Sequence, residues 1–156
     1  MPKREIGLRG YVGEAIVKYW LSKVKYKEDE GYSIVSQIIP TNIPKRGGGY
    51  LDFGVIKNNI VESVYEVKSQ DYIFDQDCKV NRGLLEIWNN KQSIKSFVTQ
   101  DGKKYESVSQ IEGHLILLVG PNNKGIKNIG IEHLKYVHLF SEIFKDLKRY
   151  SLHNSL

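Results

Sequence analysis

Apolar and polar positions along the chain change period several times, and each change marks an element. From about Arg4 to Lys27, Leu8, Val12, Ala15, Ile16 and Tyr19 recur at three- and four-residue spacing, which predicts a helix with a buried stripe. Val17, Trp20, Leu21 and Val24 widen that stripe, so packing on more than one side is expected. From Tyr32 to Ile39 the pattern becomes β-branched and contiguous between Gly31 and Pro40, as in a strand. YLDFGVIK (50–57) and VESVYEVKSQ (61–70) read as two more strands, joined at Asn58 and Asn59, which tolerate the positive φ of a tight turn. Asp75 or Asp77 suits the N-cap of a second helix from about Val80 to Val98, burying Leu84, Leu85, Ile87, Trp88, Ile94 and Phe97. HLILLVG (114–120) has the contiguous apolar character of a buried strand, residues 129–137 read as a weaker one, and 139–150 as a closing amphipathic helix.

The order is helix, three strands, helix, strand, then a weaker strand and a helix. It predicts an α/β fold in one domain spanning 1–156.

Two segments break their own pattern. Asp52 sits inside LDFGVI, and Glu66 and Lys68 stand two residues apart in YEVKSQ. Charges in buried segments are costly and need a partner, a metal or a chemical task. Strand alternation puts Glu66, Lys68 and Gln70 on one face, and Asp52 on the face of Gly54, which leaves room for a ligand. A two-residue Asn58–Asn59 turn would pair Asp52 with Tyr65 and send Asp52 and Glu66 to opposite faces. Convergence of the two carboxylates therefore predicts an extra residue or a bulge in this hairpin. Converging carboxylates repel unless a cation lies between them, and an all-oxygen set completed by water and a phosphate suits Mg²⁺. A neighbouring lysine would orient water and offset charge developing on a phosphodiester.

Composition narrows the classes. The chain has 156 residues, a formal net charge of +5 and one cysteine, Cys78, which excludes an internal disulfide framework and predicts a reducing, cytoplasmic setting. No apolar run is long enough to span a bilayer, so no membrane partner is expected. Lys and Arg outnumber Asp and Glu by nine to five in residues 1–50 and eight to six in 101–156, but fall behind by six to seven in 51–100. A basic body around an acidic centre suits a protein that grips phosphates while holding a cation.

Asp52, followed on the next strand by Glu66-Val67-Lys68 and preceded by a helix carrying Gly13-Glu14, resembles the PD-(D/E)XK nuclease superfamily over roughly residues 4–120. The resemblance implies a restriction-endonuclease-like core with a central mixed sheet, in the order helix-strand-strand-strand-helix-strand, plus a C-terminal helix. It implies that Asp52, Glu66, the Val67 carbonyl and Glu14 hold Mg²⁺, with Mn²⁺ able to substitute. Lys68 then assists the attacking water, with Gln70 in support. Leu51 stands where the family name has proline. The implied activity is phosphodiester hydrolysis, in DNA before RNA, by a homodimer or a part of a larger complex. Lys45 and Arg46 beside three glycines, and Arg82 near the start of the second helix, are suited to backbone phosphates.

Other readings of the same residues stay open. Glu14 and Lys18 are spaced for an ordinary helix-surface ion pair. The whole chain also reads as a non-catalytic nucleic-acid-binding module, or as a protein whose charges are purely structural. The four histidines show no metal-ligand spacing.

Overall fold

The computed structural model describes residues 2–43, 49–68, 81–118 and 129–154, with residues 2–10 by backbone alone. Helix α1 (Pro2–Trp20) continues into a π-helical turn, Leu21–Lys25, and a 3₁₀ turn, Glu28–Glu30. Three strands follow, β1 (Tyr32–Pro40), β2 (Leu51–Lys57) and β3 (Ile60–Lys68), then α2 (Arg82–Asn90), β4 (Ser96–Thr99) and β5 (Lys104–Leu117). A 3₁₀ segment, Ile131–Tyr136, leads into β6 (Val137–Leu139) and α3 (Phe140–Asn154). Among the described residues no helix is long and apolar enough to cross a membrane.

The strands run in the order β3-β2-β1-β4-β5-β6, and β5 also pairs with β3. Five strands therefore close into a barrel, with β6 added on the outer edge of β5. This overturns the expected restriction-endonuclease-like open mixed sheet. The physical cause lies in two segments whose pattern misleads. Ile94 and Phe97 fit the helical spacing of Leu84 and Ile87, yet α2 stops at Asn90 and Phe97 belongs to β4. The polar stretch before HLILL is strand too. At fourteen residues β5 is long enough to pair with β4 through Lys104–Glu106 and, further on, with β6 through Leu115–Leu117, while β3 runs parallel along its other edge. Closure pairs strand edges that an open sheet would leave exposed.

Two cores flank the barrel wall. Ile38, Leu51, Ile56, Val61, Val64, Phe97, Ile111 and Leu115 pack with Leu84 and Ile87 of α2. Phe53, Val55, Tyr65, Val67 and Ile116 pack against Val17, Trp20 and Leu21 of the first helix and Phe140 and Ile143 of α3. The buried stripe of α1 is thus Gly13, Val17, Trp20 and Leu21, whereas Val12, Ala15 and Tyr19 face outward. Each fully buried side chain of this size contributes about 2 kcal/mol, enough to choose one stripe over the other. The Trp20 Nε1 donates to Asp146 Oδ2 at 3.0 Å and ties α1 to α3.

The β2–β3 hairpin keeps the two-residue turn and meets the parity argument by its second route, a bulge. Asn58 and Asn59 adopt φ of 52° and 65°, as a tight turn of this hand demands. Lys57 faces Ile60 and Ile56 faces Val61, but beyond a bulge Val55 faces Ser63 and Phe53 faces Tyr65. The extra residue, Glu62, shifts the register by one, which sets Asp52 opposite Glu66 on a common face.

Candidate functional site

Three elements each deliver one carboxylate to the same place. Gly13 lies against Val67 and Phe140, bringing α1 onto the end of β3 and Glu14 to the start of β2. Asp52 and Glu66 are buried, at 9% and 3% exposure, where β2 begins and β3 ends. The Val67 N–H donates to Asp52 Oδ2 at 2.8 Å, which fixes the aspartate across the hairpin. Asp52 lies within hydrogen-bond reach of both Glu14 and Glu66. Lys68 Nζ stands 3.9 Å from Glu66 Oε2, and Lys68 is the partly exposed member of that pair.

Burial dominates the electrostatics. Desolvation first, and the nearby Glu66 second, push the Asp52 carboxyl up to about 8, against the opposing pull of the Val67 N–H and Glu14. Burial and then Asp52 push Glu14 up to about 7, with Lys68 acting in the opposite sense. Glu66 is also raised, again by burial, although Asp52, Lys68 and Asn81 all favour its charged form. At neutral pH the desolvated cluster therefore keeps a proton on Asp52 and, in part, on Glu14. Among the described residues no group of three or more His, Cys, Asp or Glu is spread to hold a metal ion. The carboxyls are instead drawn together, as groups sharing protons are. Their chemistry nonetheless fits a hard divalent cation: every donor is a carboxylate oxygen, with the Lys68 ammonium set against them.

Asn81 is the site residue that sequence reasoning missed. Its Oδ1 caps α2 by accepting from the amides of Gly83 (2.8 Å) and Leu84 (3.3 Å). Its Nδ2 donates to the Tyr50 carbonyl at 3.0 Å, and the amide reaches Glu66. The expected caps Asp75 and Asp77 lie outside the described residues. An asparagine two residues ahead of Gly83-Leu84-Leu85 was the available signal. Gly83 makes the arrangement possible, because a Cβ there would stand 2.5 Å from the Gly49 carbonyl oxygen. Arg82, exposed at the first position of α2, is thereby held near the cluster.

The remaining expectations divide. Val67 meets Asp52 through its amide. Gly54 does not leave room for a ligand: Ile38 and Val35 fill the space, with Ile38 Cδ1 only 3.0 Å from where a Cβ would sit. Gln70, Lys45 and Arg46 lie outside the described residues. The histidines meet through the fold and not through spacing, His114 Nδ1 lying 2.9 Å from His138 Nε2.

Comparison with protein-family models, with curated proteins and with solved structures finds no match to this chain.

Proposed function

We propose that the protein is a metal-dependent nuclease hydrolysing phosphodiester bonds, with DNA as its first substrate. One observation carries this reading: buried Asp52 and Glu66 converge with Glu14 and Lys68 only because the hairpin carries a bulge and α1 lies against β3. Gathering three carboxyls, two of them buried, costs stability, and a purely structural role gives no return for that cost. The spacing resemblance to the PD-(D/E)XK nucleases supports the same chemistry. The reading rests on the site and not on the fold, which is a closed barrel.

In this reading Asp52, Glu66 and Glu14 hold Mg²⁺ or Mn²⁺. The bound cation supplies Lewis-acid polarisation of the phosphodiester. The Val67 amide keeps Asp52 from rotating, and Asn81 keeps Glu66 aimed at its neighbours. Lys68, at 28% side-chain exposure, reaches outward from Glu66 toward solvent, where its ammonium orients a water for in-line attack on phosphorus. Water adds to phosphorus and gives up a proton to solvent, the bond to the departing ester oxygen breaks, and that oxygen leaves with a proton from solvent.

The test is incubation of supercoiled and linear DNA with Mg²⁺, Mn²⁺ or EDTA, beside Glu66→Ala. Metal-dependent cutting that is lost in the variant supports the proposal. Metal-independent DNA retention without cutting moves the protein to the non-catalytic binding module, and cutting by Glu66→Ala at the wild-type rate refutes the assignment.

A further inference from the structure

A groove of about 480 Å³ runs beside the last turns of α1 and the start of β1, where Lys18, Lys23 and Lys27 share the lining with Tyr26 and Tyr32. The two rings pack edge on, 5.3 Å between centroids with planes at 64°. Cations already gather over them: Lys57 Nζ lies 4.6 Å from the centre of the Tyr32 ring and Lys25 Nζ 5.8 Å from that of Tyr26. The lining thus holds three ammonium groups and two aromatic rings together with the carboxylates of Glu28 and Asp29, while Lys25 and Lys57 contact the rings without lining the groove. Lysines interleaved with tyrosines are what a nucleic-acid strand requires, the phosphates meeting charge and the bases meeting rings.

The position of the groove is as informative as its chemistry. Glu14 and Lys18 on α1 and Ser22 in the π-helical turn that continues it follow one another at four-residue spacing, so the groove begins about 6 Å along the helix from Glu14 and continues to about 12 Å. The strand gives an independent measure. Ile34, in the groove lining, pairs with Val55, three residues and thus about 10 Å along β2 from Asp52. One strand of a duplex advances about 3.4 Å per phosphate, so these distances correspond to about two to four nucleotides.

We infer that this groove holds one strand of the substrate two to four nucleotides from the bond to be cut, with phosphates on Lys18 and Lys23 and a base against Tyr26 or Tyr32. This rests on the nuclease reading and adds to it a substrate track that Lys45, Arg46 and Arg82 do not describe.

The test measures anisotropy of a labelled single-stranded DNA of about 12 nucleotides, a length within the usual site sizes. The protein carries Asp52→Asn so that the strand stays whole. Lys18→Ala/Lys23→Ala is added in that background, and Lys145→Ala/Lys148→Ala removes the same charge from exposed positions of α3. Loss of two phosphate contacts lowers the slope of log K against log salt by about 1.4, at about 0.7 per phosphate on a single strand. The groove variant is expected to show that fall and the α3 variant to keep the parent slope. Equal slopes in all three overturn the inference, as does a poly-glutamate chain that competes as well as DNA. A parallel cleavage assay of the chain with Asp52 intact separates the two claims. Binding lost in the groove variant with no cutting under any metal keeps the groove and rejects the nuclease, whereas cutting with unchanged groove-variant binding does the reverse.

Discussion

Replacing Asp52 by Asn removes a charge while keeping shape and hydrogen bonds. The Asn Oδ1 still accepts from the Val67 N–H, and the new amide donates toward Glu66 or Glu14. In the wild type the Asp52 carboxyl titrates near 8, against about 4 in an unfolded chain. A carboxyl raised in the folded state binds its proton more tightly there, so its ionisation erodes stability as pH climbs from about 4 to about 8. The full linkage over that range is about 5 kcal/mol. Relaxation around the site and coupling to Glu66 reduce it, so a gain of about 3 kcal/mol for Asp52→Asn at pH 8.5 is the working figure. For a chain of this size that is about 6–12 °C in melting temperature. Thermal and urea unfolding in EDTA, from pH 4 to 9, measures it. The expected result is equal stability at pH 4, an advantage for the variant that widens steadily from about pH 5 to about pH 8, and cleavage lost throughout. Mg²⁺ should then raise the wild type and leave the variant where it is. Parallel pH profiles for the two proteins would refute the account of a desolvated carboxylate cluster.

Other expectations follow from single contacts. Gly83→Ala drives a methyl into the Gly49 carbonyl oxygen and should cost about 2 kcal/mol or more in urea unfolding, while Gly102→Ala, where a methyl meets nothing, suffers only from its left-handed φ. Lys68→Met should lower cleavage by about 10²-fold, as removal of a donor near developing charge does, while strand-binding affinity changes far less. His114 is held neutral, its titration lowered to about 3 by burial first and then by His138 and Lys25. Its contribution is complete above pH 6.5 and is lost as pH falls toward 3. His114→Phe keeps a ring against Tyr65, whose centroid lies 4.6 Å away, and should flatten that acid limb in the same unfolding series.

How far the sequence could be read depends on whether the signal is local. The first helix and three strands follow from short-range periodicity, whereas parity alone sends Asp52 and Glu66 to opposite faces, so the β2–β3 bulge was legible only on the premise that the two carboxylates converge. Glu14 was legible as a candidate but not in its role, since Lys18 offered an equally good helical partner. The stripe of α1 was misplaced because Val12, Ala15 and Tyr19 repeat as regularly as Val17, Trp20 and Leu21, and a buried Gly13 adds nothing to a hydrophobic count. Closure of the barrel was not legible. It depends on β4, which mimics the tail of α2, and on the polar first half of β5, whose strand character comes from its neighbours β3 and β4. Gly54 shows the limit of reading glycine as ligand space, because only the packed structure shows Ile38 occupying it. Asn81 depends on the close approach at Gly83, a contact between residues far apart in the chain.

The central claim is that Glu14, Asp52 and Glu66 form one cation site kept protonated until the cation arrives. Calorimetric titration of Mn²⁺ at pH 7 in two buffers of different ionisation enthalpy tests it without requiring the right DNA. The account predicts one site per chain and buffer-dependent heats reporting release of one to two protons, since Asp52 titrates near 8 and Glu14 near 7. Both should disappear in Asp52→Asn. Mn²⁺ binding of equal strength in the variant, or no binding to the wild type, would contradict it.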